Sequence, residues 1–308
     1  MRVLRPVRLV ALLAVAALGL TACGGDPLAG GGDDSDPNVI AIGSANFTES
    51  QLLAEVYSQA LQDAGVQVED PVAIGSREAY FPALEDGSVD LIPDYSGALL
   101  SYLDKTAEEV EPQEVYRALQ AKLPPTLVAG AMSGAENKDA VVISRATADR
   151  LKVRSIADLA PHCADLVFGG PPEFQTRSDG IPGLRKNYGC SFKSFRSLDS
   201  GGVLTVAALA GDDVQSAYLF TTDPALPQND FVVLSDPKEN FAAQNVVPVM
   251  AKRKASPRIT AVLDRISAKL STPELLAMNA EAAGPDKPAL STVATNWLTR
   301  NGLTGDAR

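Results

Sequence analysis

Short β-rich runs alternate with segments of helical period along most of this chain, and that alternation constrains the fold more than any other feature. Residues 39–42 form a short β-rich run. Thr48-x-x-Gln51 has capping-box spacing, after which Leu53, Val56, Tyr57, Ala60, Leu61 and Ala64 recur at helical period until Gly65. Residues 66–74 read as extended and 77–86 as a helix stopped by Gly87. The next strand is 89–93, with Ser96 placed to cap a helix through Tyr102. A second set holds a strand at 140–144, a segment at 155–159 and a strand ending at Gly169-Gly170. Helices at 183–188 and 203–210 and a strand at 214–220 complete it. A β run at 246–250 leads into helical segments at 257–270, 273–283 and 291–301, whose amphipathic pattern suits covering a sheet. This order predicts an α/β fold with parallel strands. The expected division is one lobe from 39–140 plus 246–308, a second from 141–245 inserted between, and hinge strands at Val141 and Val246.

The N-terminus is of a different kind. Arg2, Arg5 and Arg8 precede a mostly aliphatic stretch from Leu9 to Leu20, too short for a comfortable membrane span. Leu20-Thr21-Ala22-Cys23 resembles a bacterial lipobox, which implies a signal peptide over 1–22 and lipidation of Cys23. The alternative is an ordinary signal peptide with a chance cysteine. The resemblance places the mature chain on the extracytoplasmic side of a cell membrane, held there by acyl chains, of which stable attachment needs more than one. Residues 23–38 are rich in Gly and Asp and read as a flexible tether, with Asp33, Asp34 and Asp36 as solvated linker residues and not a metal site. Losing three arginines with the leader moves the formal charge from −11 to −14. That balance argues against a nucleic-acid partner and against electrostatic docking on anionic lipid.

Cys163 and Cys190 are the two remaining cysteines, and an oxidising compartment favours a disulfide between them. Each precedes an expected strand, at 165–169 and 192–195; if these are parallel neighbours joined by a helix, both sulfurs lie at one sheet edge. Two unlinked buried thiols are the alternative.

Residues with binding chemistry gather after strand ends: Phe47-Thr48, Ser76-Arg77, Tyr95-Ser96, Glu173 to Arg177, and Phe220 to Asp223 with Thr222 among them. That edge is where open α/β sheets bind ligands, and the cleft between two such lobes suits a small molecule. Enzyme classes find little support. His162 is the only histidine, and neither a GxSxG elbow nor a GxxxxGK[ST] loop is present. A carboxylate-only hydrolase using Glu173 or Asp223 is the formal rival. No metal or cofactor is expected.

The segments GSANFTES (43–50), GSREAYFPALEDGSVDLIPDYSGALL (75–100), FGGPPEFQTRSDGIPGLRKNYGCSFKSF (168–195) and FTTDPAL (220–226) resemble a known family. It is that of the solute-binding proteins of glycine betaine and related osmoprotectant ABC importers, with the type II periplasmic-binding fold. The resemblance implies a monomer that captures a small molecule by lobe closure and delivers it to a permease and ATPase; a sensing lipoprotein is the alternative. The family cages a trimethylammonium head with four tyrosines and holds the carboxylate with a lysine, a threonine and an arginine. Matched by motif, the cage positions fall on Tyr95, Asp139, Phe220 and Gln244, and the arginine on Arg177. The lysine and threonine positions fall on Ala45 and Ala98. Two rings are lost, each worth about 0.5–2 kcal/mol toward a desolvated cation. The lost carboxylate partners leave Arg177 as the one matched cation there. Asp139 and Gln244 suit a ligand with hydroxyl or amine donors, so a polyhydroxylated or phenolic molecule is a rival to betaine. Arg177 has the alternative of capping its own loop or pairing with Glu173, and Phe220 that of packing in the core. Tyr80, Tyr188 and Tyr218 are expected to be lobe packing, and Trp297 to be core.

Overall fold

The computed structural model describes residues 39–304. Cys23 and the leader lie outside them.

The first lobe opens with β1 (Val39–Ile40), β2 (Gly43–Ala45), α1 (Thr48–Asp63), β3 (Gln67–Val68), β4 (Val72–Gly75) and α2 (Arg77–Asp86). It continues with β5 (Leu91–Tyr95), α3 (Ser96–Leu103), α4 (Pro112–Lys122) and β6 (Leu127–Ala129). The second lobe holds β7 (Asp139–Ser144), α5 (Arg145–Leu151), α6 (Ile156–Leu159), β8 (Val167–Gly170), α7 (Ile181–Tyr188) and β9 (Ser194–Ser197). It ends with α8 (Val203–Ala210), β10 (Ser216–Phe220), α9 (Ala225–Gln228) and β11 (Phe231–Val233). The chain then returns through β12 (Val246–Ala251) to α10 (Pro257–Lys269), α11 (Thr272–Ala282) and α12 (Leu290–Arg300).

Strand order in the second lobe is β11-β7-β10-β8-β9. In the first, β5 and β6 flank β12, β2 pairs with β4, and β1 with β3. The pairs β1–β3, β2–β4, β8–β9 and β8–β10 are parallel, as the βαβ spacing predicts. The strands that follow each crossing are not. β12 runs antiparallel to β5 and β6, and β7 antiparallel to β10 and β11. The expected hinge runs at Val141 and Val246 are thus interior strands of one sheet each. The chain crosses a few residues earlier, where Glu136 pairs with Asn245 and the Asn137 amide donates to the Gln244 carbonyl.

Two expected caps do not form. Phe47, not Thr48, is the N-cap of α1, so the Thr48 hydroxyl sits one position too late for the box. Tyr95 is the N-cap of α3, and the Ser96 hydroxyl instead bridges to the second crossing, donating to the Ala243 carbonyl and accepting from the Asn245 amide. Gly97 is part of the same close approach, because a Cβ there would lie 2.5 Å from the Ala243 oxygen.

Helix α1 buries Leu52, Leu53, Val56, Tyr57 and Leu61 against α10 and α12, with Trp297 fully buried in that core. The Trp297 indole donates to Glu274. Cys163 and Cys190 are bonded, with Cα atoms 5.4 Å apart, tying the start of β8 to the start of β9 across α7. No helix among the described residues is long and apolar enough to cross a membrane.

Candidate functional site

One cavity lies where the carboxyl ends of strands from both lobes meet. The first lobe supplies Ala45 at the end of β2, Asn46 and Phe47 before α1, then Ser76, Arg77 and Tyr80 at the start of α2. It adds Tyr95 and Ala98 where β5 becomes α3. The crossings supply Asn137, Asp139 and Gln244; the second lobe supplies Glu173 and Arg177 after β8, Ser200 after β9, and Tyr218 and Phe220 from β10.

Of the residues singled out from sequence, Tyr95, Asp139, Arg177, Phe220, Gln244, Phe47 and Ser76 line this cavity, as do Ala45 and Ala98. Thr48 and Thr222 do not. They face an adjoining hollow of about 520 Å³ that shares Phe47, Asn137, Ser200 and Phe220 with the first. Tyr80 and Tyr218, expected as packing, are buried in the lobe cores and reach the cavity as well. A signal for both exists: Tyr218 shares a strand face with Phe220, two residues on, and Tyr80 shares a helix face with Arg77, three residues back. Tyr188 lies elsewhere, donating its hydroxyl to Asp236.

Five rings therefore border one space. Phe47 packs on Phe220 across the lobes with ring centres 4.6 Å apart, and on Tyr95 at 5.9 Å. Tyr218 meets Phe220 edge-on at 5.1 Å. Ring faces of this kind attract a bulky cation that cannot donate hydrogen bonds.

The charges are arranged in pairs. Arg77 is buried and held by Asp94 at 2.7 Å. Arg177 spends its guanidinium fork on Glu78 of the other lobe, Nε and one terminal nitrogen each at 3.0 Å from a carboxylate oxygen. Glu173 stands 3.9 Å from Arg177. Burial alone would raise Glu78, but the Arg177 hydrogen bonds and charge overcome it and lower the carboxyl to about 2. Arg177 thus joins the lobes, and the pairing weighed from sequence, with Glu173, is the longer of its two contacts. Asp139 accepts from the Tyr218 hydroxyl at 2.6 Å, and its own amide donates to Gln244 Oε1 at 3.2 Å.

Sequence reasoning missed Glu49. This carboxylate, in the first turn of α1, is buried between the lobes. Its Oε1 accepts from Tyr95 Oη at 2.7 Å and Asn137 Nδ2 at 2.8 Å. Its Oε2 accepts from Thr222 Oγ1 at 2.6 Å and from Asn279 Nδ2. Burial raises its pKa, and those four hydrogen bonds pull the other way. One side chain thus joins β5, both lobes' loops and α11 directly beneath the aromatic wall.

Two lobes, a cleft at the strand ends and an aromatic lining define a solute-binding protein of the type II periplasmic-binding fold. The profile of the substrate-binding domain of ABC-type glycine betaine transport systems matches residues 38–300, and the chain belongs to that family, which binds solutes and is not enzymatic. A glycine-betaine-binding protein of Pseudomonas aeruginosa is 29% identical over 97% of this chain and 98% of its own length. The carnitine transport binding protein OpuCC of Listeria monocytogenes is 25% identical over 94% of each. The crystal structure of a glycine betaine/carnitine/choline ABC transporter superposes with a TM-score of 0.65 at 24% identity, covering 86% of this chain and 99% of that one.

Proposed function

We propose that this chain is the extracytoplasmic solute receptor of an ABC importer for a compound with a quaternary ammonium head, tethered to the membrane through lipid on Cys23. The observation that carries the reading is the ring set Phe47, Tyr80, Tyr95, Tyr218 and Phe220 around a cavity that also holds Asp139 and Glu173. Rings attract the cation without needing hydrogen-bond donors from it, and the carboxylates add charge in a low-dielectric site. Relatives that carry names for glycine betaine and carnitine binding support the same class.

Capture proceeds by lobe closure. Ligand touching walls from both lobes binds the closed form better, so it shifts the hinge equilibrium toward closure. The lobes, taken as 39–136 plus 246–304 and 138–243, move about the crossings near Asn137 and Gln244. The closed surface is then presented to the permease, with the ATPase supplying the energy that this chain has no motif to supply.

Calorimetric titration with glycine betaine, carnitine and choline tests the reading. Micromolar binding of one of them, about −8 kcal/mol, is the expected result; silence toward all quaternary amines would overturn it. Labelling cells with a radioactive fatty acid tests the anchor, which predicts incorporation in the native chain and none in Cys23→Ala.

A further inference from the structure

Gln244 borders the cavity and carries a buried hydrogen-bond donor with nothing among the described residues to receive it. Its Oε1 accepts the Asp139 amide, which fixes which end of the side-chain amide is nitrogen. Its Nε2 is then left without a partner among the described residues, although the side chain is only 2% exposed and borders the cavity. A buried donor of this kind is costly unless a ligand completes it.

The same bond sets Asp139 beside it. The Asp139 carboxylate takes one hydrogen bond from Tyr218, and a carboxylate has lone pairs for several. A hydroxyl is the group that satisfies both neighbours at once, donating its proton to Asp139 and accepting from Gln244 Nε2. A ligand carboxylate would accept from Gln244 but meet the negative charge of Asp139.

Charge around the cavity points the same way. Arg77 is matched by Asp94, and Arg177 by Glu78 with Glu173 a further 3.9 Å away, so four carboxylates, Asp139 among them, stand against two guanidiniums at the lining. Asp179, half-buried nearby, is pushed up to about 6 by loss of solvent and by the charge of Asp139. Ala45 and Ala98 bring no positive or hydroxyl group to the wall.

We propose, on the reading of the cleft as a quaternary-ammonium site, that its ligand is a hydroxyl-bearing monocation of the choline class. Asp139 and Gln244 together hold its hydroxyl while the rings hold its ammonium head. Arg177 serves as the clasp to Glu78 and leaves the anion position of a zwitterion unfilled.

The test is titration of the full mature chain with choline, glycine betaine and tetramethylammonium, which has the head but no hydroxyl. Choline is expected to bind at least about tenfold more tightly than betaine. Gln244→Leu is expected to cost choline severalfold more than it costs tetramethylammonium, with circular dichroism confirming the fold. Asp139→Asn should narrow the gap between choline and betaine. Tighter binding of betaine than choline by the native chain overturns the hydroxyl assignment while leaving the quaternary-ammonium site standing. Equal losses for choline and tetramethylammonium in Gln244→Leu also overturn it. Binding of none of the three removes the broader reading as well. The native comparison decides the proposal even if a variant fails to fold.

Discussion

At position 49 a glutamate takes the first turn of α1 and turns inward, where donors from Tyr95, Asn137, Thr222 and Asn279 converge on it. Glu49→Ala strands four buried donors at once. It should lower unfolding free energy by roughly 3 kcal/mol or more, read by urea denaturation; a loss under about 1 kcal/mol would show that water replaces the carboxylate. Asp223 supplies a pH-dependent counterpart. Burial raises it from 3.8 to about 6, against a hydrogen bond from the Ala225 amide. Between those values the folded chain keeps a proton that the unfolded chain releases. Its contribution is therefore fully present below about 3.8 and is lost as pH rises to about 6. Asp223→Asn should reduce the fall in melting temperature between pH 4 and pH 7, and an unchanged slope would remove Asp223 as its source. Tyr95 and Phe220 were legible because each ends a strand in a recognisable motif. Glu49 was not, since an acidic first-turn residue ordinarily faces solvent and favours the helix dipole there.

At the scale of elements, the disulfide ties together the segments that lead into two parallel strands, β8 and β9. A 27-residue separation corresponds to about 3.5 kcal/mol of loop entropy. Cys163→Ala with Cys190→Ala should lose stability of that order in denaturation, and reduction of the native chain should reproduce it. Agreement within 0.5 kcal/mol between native and double-mutant proteins would deny the bridge a stabilising role. The strands and helices of strong period were readable: α1, α2, α7, α8, β10 and the three C-terminal helices all fall within a few residues of their expected places. Helices α4 and α5 and strands β6 and β11 were not read out. β6 and β11 are three-residue strands, and a strand that short has almost no period of its own. Thr48 and Ser96 carried the right chemistry for caps, yet their hydroxyls were diverted by a one-residue offset and by the crossing strand.

For the molecule as a whole, the two lobes are joined by direct side-chain contacts. Arg177 grips Glu78, the Ser101 and Ser178 hydroxyls lie 2.8 Å apart, and Phe47 rests on Phe220. If the Arg177–Glu78 clasp acts through closure alone, Arg177→Ala and Glu78→Gln should weaken ligand binding by similar factors, about two- to tenfold. Their double mutant should be no worse than either. A much larger loss for Arg177→Ala than for Glu78→Gln would mean that the guanidinium touches the ligand. Small-angle scattering should show a smaller radius of gyration with saturating ligand, and an unchanged curve would count against hinge closure.

The sequence by itself determined the α/β alternation, the residues at the strand ends and the family to which they belong. These depend on local period, turn residues and short motifs, which are properties of neighbours along the chain. Only the tertiary structure decided what those residues meet. It committed Arg177 to a glutamate 99 positions away and left the Gln244 nitrogen without a bond beside Asp139, 105 positions distant. It also brought Glu49 to Asn279 across 230 positions. Charge pairing and hydrogen-bond satisfaction in a buried site depend on which groups share a space from which water is excluded, and no local pattern encodes that sharing.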